Sequence, residues 1–293
     1  MSISVIIPTF NSSNTIIDAI VSIINQTYKG YIEIIVVDDF SDDFECLTNK
    51  LSKVNFPVNI KLVIKRNLSN KGGGYSRNIG IKESECKYIT FLDSDDVWLP
   101  SKLDTQIFNY KYGIILTSAV YKGASIESSK VLPDVVKSIN EPVSDSLFLY
   151  SRLIQTSTFF MASDIAKDIM FNPSLPRHQD YDFLLRAEDK GYEIVQMNEP
   201  LSFWRVENDY SGRFLKKKAT PEFFIEWYKD YKKYMTSRAS ISYVAKNIFS
   251  ACMITKKYNL FISFIFSDSF SFFERLLVIK RILSWRWEKL KND

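Results

Sequence analysis

Short, near-continuous apolar runs alternate with amphipathic stretches through the first part of the chain. The apolar runs are rich in β-branched residues, which predicts strands that are covered on both faces of a sheet. These strands are predicted at 4–8, 33–37, 58–64 and 87–92. Between them, apolar positions recur every three or four residues and predict helices at 15–25, 43–53 and 76–84. The β-α-β-α-β-α-β order is typical of an open, doubly wound α/β sheet.

The pattern becomes less regular after Pro100. A polar loop is predicted at 121–145, and the other elements follow in a looser order. Strands are predicted at 113–118, 156–162, 193–195 and 201–206, and helices at 102–109 and 180–190. From about residue 211 onward the pattern predicts helices. We therefore expect one α/β domain over residues 1–210 and a basic, aromatic-rich helical extension over residues 211–293.

The composition is that of a globular protein, since 46% of the 293 residues are hydrophobic and 25% are charged. His178 is the single histidine, which excludes a mechanism built on a histidine pair or a His-rich metal site. The three cysteines lie far apart, which favours a reducing compartment over a disulfide framework or a zinc site. The N-terminus lacks the pattern of a signal peptide, and no stretch approaches the ~20 apolar residues of a membrane span.

Charge is distributed unevenly along the chain. Residues 1–210 carry 21 Lys and Arg against 27 Asp and Glu, whereas residues 211–293 carry 17 against 7. Within the basic region, residues 272–287 set Leu, Ile and Trp against Lys and Arg at helical spacing, which suits an anionic membrane surface. The alternative is that these helices pack on the rest of the chain and their charges are solvated. A nucleic-acid partner is not expected, because no recognition motif accompanies the charge.

Acidic residues follow two of the predicted strands. Asp38 and Asp39 end the second strand, and residues 93–96 (Asp-Ser-Asp-Asp) end the fourth. Ligands bind at the carboxyl ends of strands in such sheets, and clustered carboxylates repel one another unless a cation lies between them. Mg²⁺ or Mn²⁺ prefers these oxygen ligands. The alternatives are a solvated acidic turn and aspartates that cap the next helix.

A glycine-rich turn at 71–74 opens the helix that carries Arg77. Glycines let the backbone approach a ligand closely, and a helix N-terminus favours a phosphate. The alternative is a flexible turn followed by a surface arginine.

Four segments in one order and spacing carry a family resemblance over residues 3–103. They read VIIPTFN, IIVVDDFSDD, GGGYSRNIGI and YITFLDSDDVWLPSKL. With them the chain resembles the glycosyltransferase family 2 enzymes of the GT-A fold, and a weaker match extends to about residue 206. The resemblance implies a mixed, mostly parallel sheet flanked by helices, with the helical extension outside it.

The resemblance also implies roles for individual residues. Those implied to hold the nucleotide and sugar are Pro8, Thr9, Asp39, Arg77, Asp93 and Ser94, and Asp95 is implied to hold a divalent metal, Mn²⁺ or Mg²⁺. The family usually has glycine at the position of Phe40, so we expect the loop after the second strand to differ in shape.

The family commonly carries Glu-Asp where this chain has Gln179-Asp180, and its Asp is taken as the catalytic base. Asp180 also lies at a predicted helix start, where the helix dipole favours an ionised carboxylate. The alternatives are that Asp180 caps the helix or that Asp182 is the base. His178 could contact an acceptor or phosphate, or lie in a surface loop.

These implications predict an inverting, metal-dependent glycosyltransferase that uses a nucleotide sugar, with UDP preferred. Its acceptor would be a glycan or a polyprenyl-linked molecule in bacterial surface polysaccharide assembly, at the cytoplasmic face of the inner membrane. Two alternatives stay open: a nucleotidyltransferase, which also combines an α/β sheet with metal-binding carboxylates, and a non-catalytic protein that binds sugar nucleotides.

Overall fold

The computed structural model describes residues 1–206 and 220–292, with side chains as far as Trp287. The strands are β1 Ser2–Thr9, β2 Tyr31–Asp38, β3 Ile60–Arg66, β4 Tyr88–Phe91, β5 Val97–Trp98, β6 Ile114–Gly123, β7 Lys130–Leu132, β8 Phe160–Ala162 and β9 Glu193–Arg205. The helices are α1 Ile16–Ile24, α2 Phe44–Leu51, α3 Gly73–Glu83, α4 Lys102–Asn109, α5 Ser163–Ile169, α6 Gln179–Asp189, α7 Pro221–Tyr231, α8 Ser237–Tyr243, α9 Phe249–Ile254, α10 Tyr258–Ile265 and α11 Phe272–Asn292.

The described strands form one sheet in the order β3-β2-β1-β4-β8-β6-β9-β5, with β7 paired to β6. The pairs among β1–β4 are parallel, as is the long β6–β9 pair, whereas β8, β7 and β5 pair antiparallel. The mixed sheet and its flanking helices confirm the predicted fold class.

The first half of the sheet folds as its sequence pattern predicts. The inner residues of β1 and β2 are almost all buried, and α1 buries Ile16, Ile20 and Ile23 against this core. Helix α3 lies close to β1 at Gly80. A Cβ atom at this position would come within 2.3 Å of the Ile6 Cγ2 atom. Only glycine allows this approach, so the site-bearing helix is held directly against the central strand.

Three predictions for the second half of the sheet are wrong in detail. Residues 121–145 are not one polar loop, because β6 runs on to Gly123 and β7 pairs with it. The strand predicted at 156–162 is a 3₁₀ turn followed by the three-residue β8. The two strands predicted at 193–195 and 201–206 are the single strand β9, which follows β6 with register shifts at residues 118–120.

The described residues divide into two compact units. One contains residues 1–140 and 152–206, and the other contains the segment Glu141–Ser151 together with the helices α7–α11. The second unit has an aromatic core in which the Tyr243 ring lies 5.0 Å from that of Trp227 and 5.1 Å from that of Phe148. The predicted boundary at residue 210 lies outside the described residues. Within those residues, no helix has both the length and the apolar character that crossing a membrane requires.

Candidate active site

The carboxyl ends of β1, β2 and β4 lie side by side. Thr9 pairs with Asp38 in the β1–β2 register, and the Asp39 amide donates to the Thr9 carbonyl at 2.8 Å. On the other side of β1, the Leu92 amide donates to the Ile6 carbonyl at 3.0 Å. Parallel pairing therefore brings the two predicted acidic loops to one edge of the sheet. Pro8 lies half-buried at the same end of β1.

Asp39 fixes the glycine-rich turn. Its carboxylate accepts hydrogen bonds from the Lys71 amide at 2.8 Å and the Gly72 amide at 2.7 Å, and from Asn67 Nδ2 at 2.8 Å. Gly72 has φ +87°, which glycine adopts without strain. This buried carboxylate thus sets the start of α3, and its predicted contact with the nucleotide stays a prediction.

Arg77 joins the donor-side loop to the segment that carries Asp180. One terminal nitrogen donates to the Asp93 carboxylate at 2.5 Å and the other to Gln179 Oε1 at 2.8 Å. The guanidinium carbon lies 5.3 Å from the centre of the Phe171 ring. A surface arginine is therefore the wrong alternative, since Arg77 is 8% exposed and connects segments 102 residues apart.

The carboxylates of the acidic loop at residues 93–96 have different environments. Asp95 is exposed, whereas Asp96 turns inward and accepts hydrogen bonds from Gln155 Nε2 and Ser157 Oγ, both at 2.6 Å. Burial, followed by the charges of Asp93 and Asp95, raises the pKa of Asp96 well above its usual range. The same Ser157 Oγ accepts from the Asp93 amide at 3.0 Å, so the buried carboxyl group holds the loop in place.

Ser94 is also buried within this loop. Its hydroxyl donates to Ser12 Oγ at 3.0 Å, which ties the acidic loop to the segment after β1.

Asp180 lies in the first turn of α6. Burial raises the pKa of its carboxyl group to about 6, and the charge of Asp93 acts in the same direction. The Tyr181 amide, which donates to Asp180 Oδ1 at 2.9 Å, and the Arg77 guanidinium oppose this rise. A carboxylate with a pKa just below neutral pH can accept a proton during a reaction and release it afterwards.

Asp182 has a different environment. It is fully buried, and its two carboxylate oxygens accept from Nε and one terminal nitrogen of Arg186, both at 2.7 Å. Arg186 also donates to the Ile169 and Met170 carbonyls, both at 2.6 Å, so this bidentate pair fixes α6 to the end of α5. This structural role favours Asp180 over Asp182 as the base.

His178 precedes α6 with a left-handed φ of +63° and stacks on the Tyr181 ring at 4.7 Å. Burial, with a smaller contribution from Arg177, lowers the pKa of His178 to about 3. The imidazole is therefore neutral at physiological pH and buried, not part of a surface loop as one alternative suggested.

Several buried polar atoms at this edge lack a hydrogen-bond partner within the described residues, Asp38 Oδ1 and Asp96 Oδ1 among them, and two of these atoms belong to residues predicted to bind the donor. Within residues 1–206 and 220–292, Thr9 Oγ1 and Arg77 Nε have no hydrogen-bond partner. Buried polar groups are nearly always satisfied, so a bound molecule with polar atoms is expected beside them. Both residues belong to the predicted nucleotide-sugar site.

The donor set fits a hard divalent cation that shares its ligands with a substrate. Among the described residues, no group of three or more His, Cys, Asp or Glu side chains is arranged to hold a metal ion. Mg²⁺ commonly takes one or two carboxylates and completes its shell with water and substrate phosphates. Asp95, with Asp93 beside it, can supply that contribution.

Several residues that organise the site were not predicted from the sequence. Gln179 replaces the acidic residue that the family commonly has, and its role as the acceptor for Arg77 is visible only in the folded chain. Asn78 exchanges two hydrogen bonds with the backbone of Phe171, at 2.8 and 2.7 Å. Such contacts span 93 residues and leave no local pattern.

Comparison with known proteins agrees with this geometry. The family model described as Glycosyl transferase family 2 matches residues 4–139. The amylovoran biosynthesis glycosyltransferase AmsB of Erwinia amylovora is 29% identical over 253 residues, 84% of this chain and 82% of that protein. The UDP-Glc:alpha-D-GlcNAc-diphosphoundecaprenol beta-1,3-glucosyltransferase WfaP of Escherichia coli is 31% identical over 205 residues, 70% of this chain and 77% of that protein.

Solved structures show the same fold. TarS 1-349 of S. aureus in complex with UDP-GlcNAc superposes with a TM-score of 0.59 at 20% identity, covering 96% of this chain and 79% of that one. The mannosyltransferase PcManGT of Pyrobaculum calidifontis, in complex with GDP-Man and Mn2+, gives a TM-score of 0.58 at 12% identity, covering 98% and 87%. The fold is therefore the predicted GT-A fold. With the family model and these relatives, the chain belongs to glycosyltransferase family 2 and is a glycosyltransferase.

Proposed function

We propose that this enzyme transfers a sugar from a UDP-sugar to a hydroxyl group of a glycan or polyprenyl-linked acceptor, with inversion at the anomeric carbon. The proposal places it in the assembly of a bacterial surface polysaccharide. The observation that carries it is the Arg77 bridge, because this side chain connects Asp93 on the donor side with the segment of Asp180 on the base side.

The relatives support the choice of substrates. AmsB is named for amylovoran biosynthesis, and WfaP is named as acting with UDP-Glc on a diphosphoundecaprenol-linked sugar. The TarS structure contains UDP-GlcNAc. A UDP-sugar and a lipid-linked acceptor are therefore the first substrates to test.

On the donor side, we assign the nucleotide to the edge formed by Pro8, Thr9, Asp39 and Ser94. Thr9 Oγ1 offers a buried hydroxyl whose hydrogen-bonding capacity is unused among the described residues. Arg77 offers its Nε to the diphosphate, while the hydrogen bonds of its two terminal nitrogens hold the guanidinium in place. Hydrogen bonds from a guanidinium held in this way stabilise the charge that develops on a leaving diphosphate.

We assign the divalent metal to Asp95, with Asp93 alongside. When bound, Mn²⁺ or Mg²⁺ supplies further positive charge for the leaving diphosphate. Asp96 stays out of this set because it is buried and bonded to Gln155 and Ser157.

On the base side, Asp180 takes the proton from the acceptor hydroxyl as that oxygen attacks the anomeric carbon. Attack from the face opposite the diphosphate inverts the anomeric centre. Arg77 keeps Asp180 mainly ionised near neutral pH, because its charge opposes the rise of the pKa of Asp180 that burial causes. A lipid-linked acceptor would require the enzyme to work at the cytoplasmic surface of the membrane.

The test is a screen of donor consumption by the full chain with UDP-, dTDP- and GDP-sugars, each with Mn²⁺ and with a chelator. We expect release of UDP that depends on metal and increases with a polyprenyl-diphosphate-linked sugar. Asp95→Ala should weaken metal-dependent donor binding in calorimetry. Asp189→Asn, at an exposed carboxylate of α6, is the matched control.

Two outcomes would overturn the proposal. Release of pyrophosphate, when nucleoside triphosphates are added to the same screen with a sugar phosphate, would identify a nucleotidyltransferase. Donor binding with neither transfer nor hydrolysis, under every donor and metal tested, would identify a binding protein.

A further inference from the structure

The helix α11 carries an apolar stripe on its exposed side. Phe272, Leu276, Ile279, Leu283 and Trp287 follow one another at intervals of three and four residues, which puts them on one face. Each of these side chains is between 45% and 74% exposed. Single exposed apolar residues are ordinary, but a continuous row of five marks an interaction surface.

The opposite side of α11 holds the helix within its own unit. Val278 is fully buried and Ile282 is 8% exposed. Arg281 adds a hydrogen bond to the Leu149 carbonyl at 3.3 Å. The helix is therefore docked by one face, and the apolar stripe is the face left outward.

Two exposed basic residues border the stripe. At 100° per residue, Lys280 and Arg286 fall about 60° to either side of its centre line, and both are exposed. Over residues 272–287 the sequence has four basic residues and one acidic residue. The surface is thus an apolar centre with a positively charged rim.

We propose that this stripe is a membrane-contact surface that lies flat on an anionic lipid bilayer. A helix of this kind buries its apolar face at the boundary of headgroups and acyl chains, while its cations meet anionic lipids. Trp287 suits the same depth, because tryptophan is enriched at membrane interfaces. The inference rests on the proposed function only in taking the natural acceptor to be membrane-anchored.

The charge pattern favours lipid over a second copy of the chain. If two stripes paired face to face, Lys280 and Arg286 of one copy would lie near the same basic rim on the other. Like charges would then be brought together around an apolar contact, which opposes association. An anionic bilayer is complementary to both the centre and the rim.

The experiment is flotation of the full chain with two kinds of vesicle. One is phosphatidylcholine alone, and the other contains about 30% phosphatidylglycerol, so that the two differ only in anionic lipid. We expect at least roughly tenfold stronger partition to the anionic vesicles, decreasing with salt. The stripe variant Leu276→Ser/Leu283→Ser should lose roughly tenfold or more. The rim variant Lys280→Gln/Arg286→Gln should lose about fivefold per charge on anionic vesicles only.

The control is Leu68→Ser/Phe108→Ser, two side chains that are 96% and 88% exposed in the other unit. This variant should float like the wild type, and all variants should keep the wild-type circular dichroism and vesicle-free donor hydrolysis. The proposal is overturned if the wild type does not float, or if the stripe variant floats equally well. It is also overturned if light scattering shows a dimer that the stripe substitutions dissolve, without any vesicle binding.

Flotation requires neither donor nor acceptor, so its result is independent of the proposed reaction. Floating protein that consumes no donor would leave the surface assigned and the reaction wrong. An active enzyme that does not float would support the proposed reaction and overturn the membrane-contact surface.

Discussion

The two halves of the sheet are held together in different ways, and the candidate site takes residues from both. In the first half, β1–β4 pair in parallel along unbroken registers, with helices between them in regular order. In the second half, β8 has three residues and β5 two, and the β6–β9 pair contains register shifts. The first half supplies the donor-side residues and the second supplies Asp180.

Long-range polar contacts link the second half to the donor side, in addition to the apolar packing of Phe160 on Tyr88 and of Phe171 on Phe91. Gln155 and Ser157 reach Asp96, and Gln179 meets Arg77, across 59 to 102 residues of chain. The parallel pairing of β1–β4 does not involve Asp180, so the donor edge should stay intact when only the Asp180 side chain is changed. We therefore expect donor binding and sugar transfer to be separable by mutation.

The largest effect is expected from Asp180→Asn. The amide cannot accept the proton of the acceptor hydroxyl, so turnover should decrease by roughly 10²–10⁴-fold. Donor affinity, measured by calorimetry, should stay within about twofold because the first half is unchanged. Steady-state transfer assays with Asp189→Asn as the control measure this difference. Turnover near that of the wild type would remove Asp180 from the mechanism.

Arg77→Met should weaken donor binding and also slow sugar transfer. The substitution removes the hydrogen bonds to Asp93 and Gln179, and each bond that involves a charged group contributes about 1.5–3 kcal/mol. We expect kcat/KM to decrease roughly 10²-fold, with weaker donor binding as well as slower transfer.

Arg77→Lys is the informative companion to this variant. Lysine keeps the charge, but a single ammonium group does not reproduce the guanidinium fork, so it should restore donor binding more than transfer. If Arg77→Met lowered donor affinity alone and left the transfer of bound donor unchanged, Arg77 would not couple the two halves.

The pH dependence of sugar transfer should report the ionisation of Asp180 and not a change in donor binding. Because burial raises the pKa of Asp180 to about 6, its carboxylate becomes protonated, and unable to act as a base, as the pH decreases through about 6. Transfer should therefore fall about fivefold between pH 6 and pH 5, and about tenfold for each further unit below that. Donor affinity measured over the same range serves as the control, since we expect no matching step near pH 6.

Arg77 offers a test of the sign of this effect. Its positive charge lowers the pKa of Asp180, so Arg77→Met should move the acid limb of the residual activity to higher pH. An acid limb that stayed in place, or moved to lower pH, would assign it to another group.

The difference between the halves also explains what could be predicted from sequence. In the first half, buried β-branched runs and helical spacing are local signals, and the predicted elements lie close to the observed ones. In the second half, β8 is a strand only because β4 and β6 lie on either side of it. Pairing of that kind depends on the rest of the fold.

The site shows the same limit. The carboxylates at the strand ends were predictable, because parallel strands end at one edge. The inward turn of Asp96 was not, since it depends on Gln155 and Ser157 from the second half. The exposed stripe on α11 required the structure as well, because spacing alone does not show which face is docked.

The smallest effect is expected at Phe40, in the loop after β2. Phe40 has φ +64°, the left-handed conformation that glycine adopts freely, which explains why the family usually has glycine there. Phe40→Gly would relieve about 1–2 kcal/mol of backbone strain. It would also lose the contact in which Arg66 lies 5.3 Å from the ring centre, worth about 0.5–1 kcal/mol. The greater freedom of the unfolded chain adds a further cost of about 0.4–1 kcal/mol.

These contributions nearly cancel, so thermal or urea unfolding should show a change below about 1 kcal/mol, with donor binding retained. Phe40→Val is the matched variant. A β-branched residue is rarely found at positive φ, so it should destabilise the protein by about 1–3 kcal/mol. If glycine and valine cost the same, the aromatic contact, and not the backbone conformation, would hold this loop, and the donor edge would depend on a side chain that most of the family lacks.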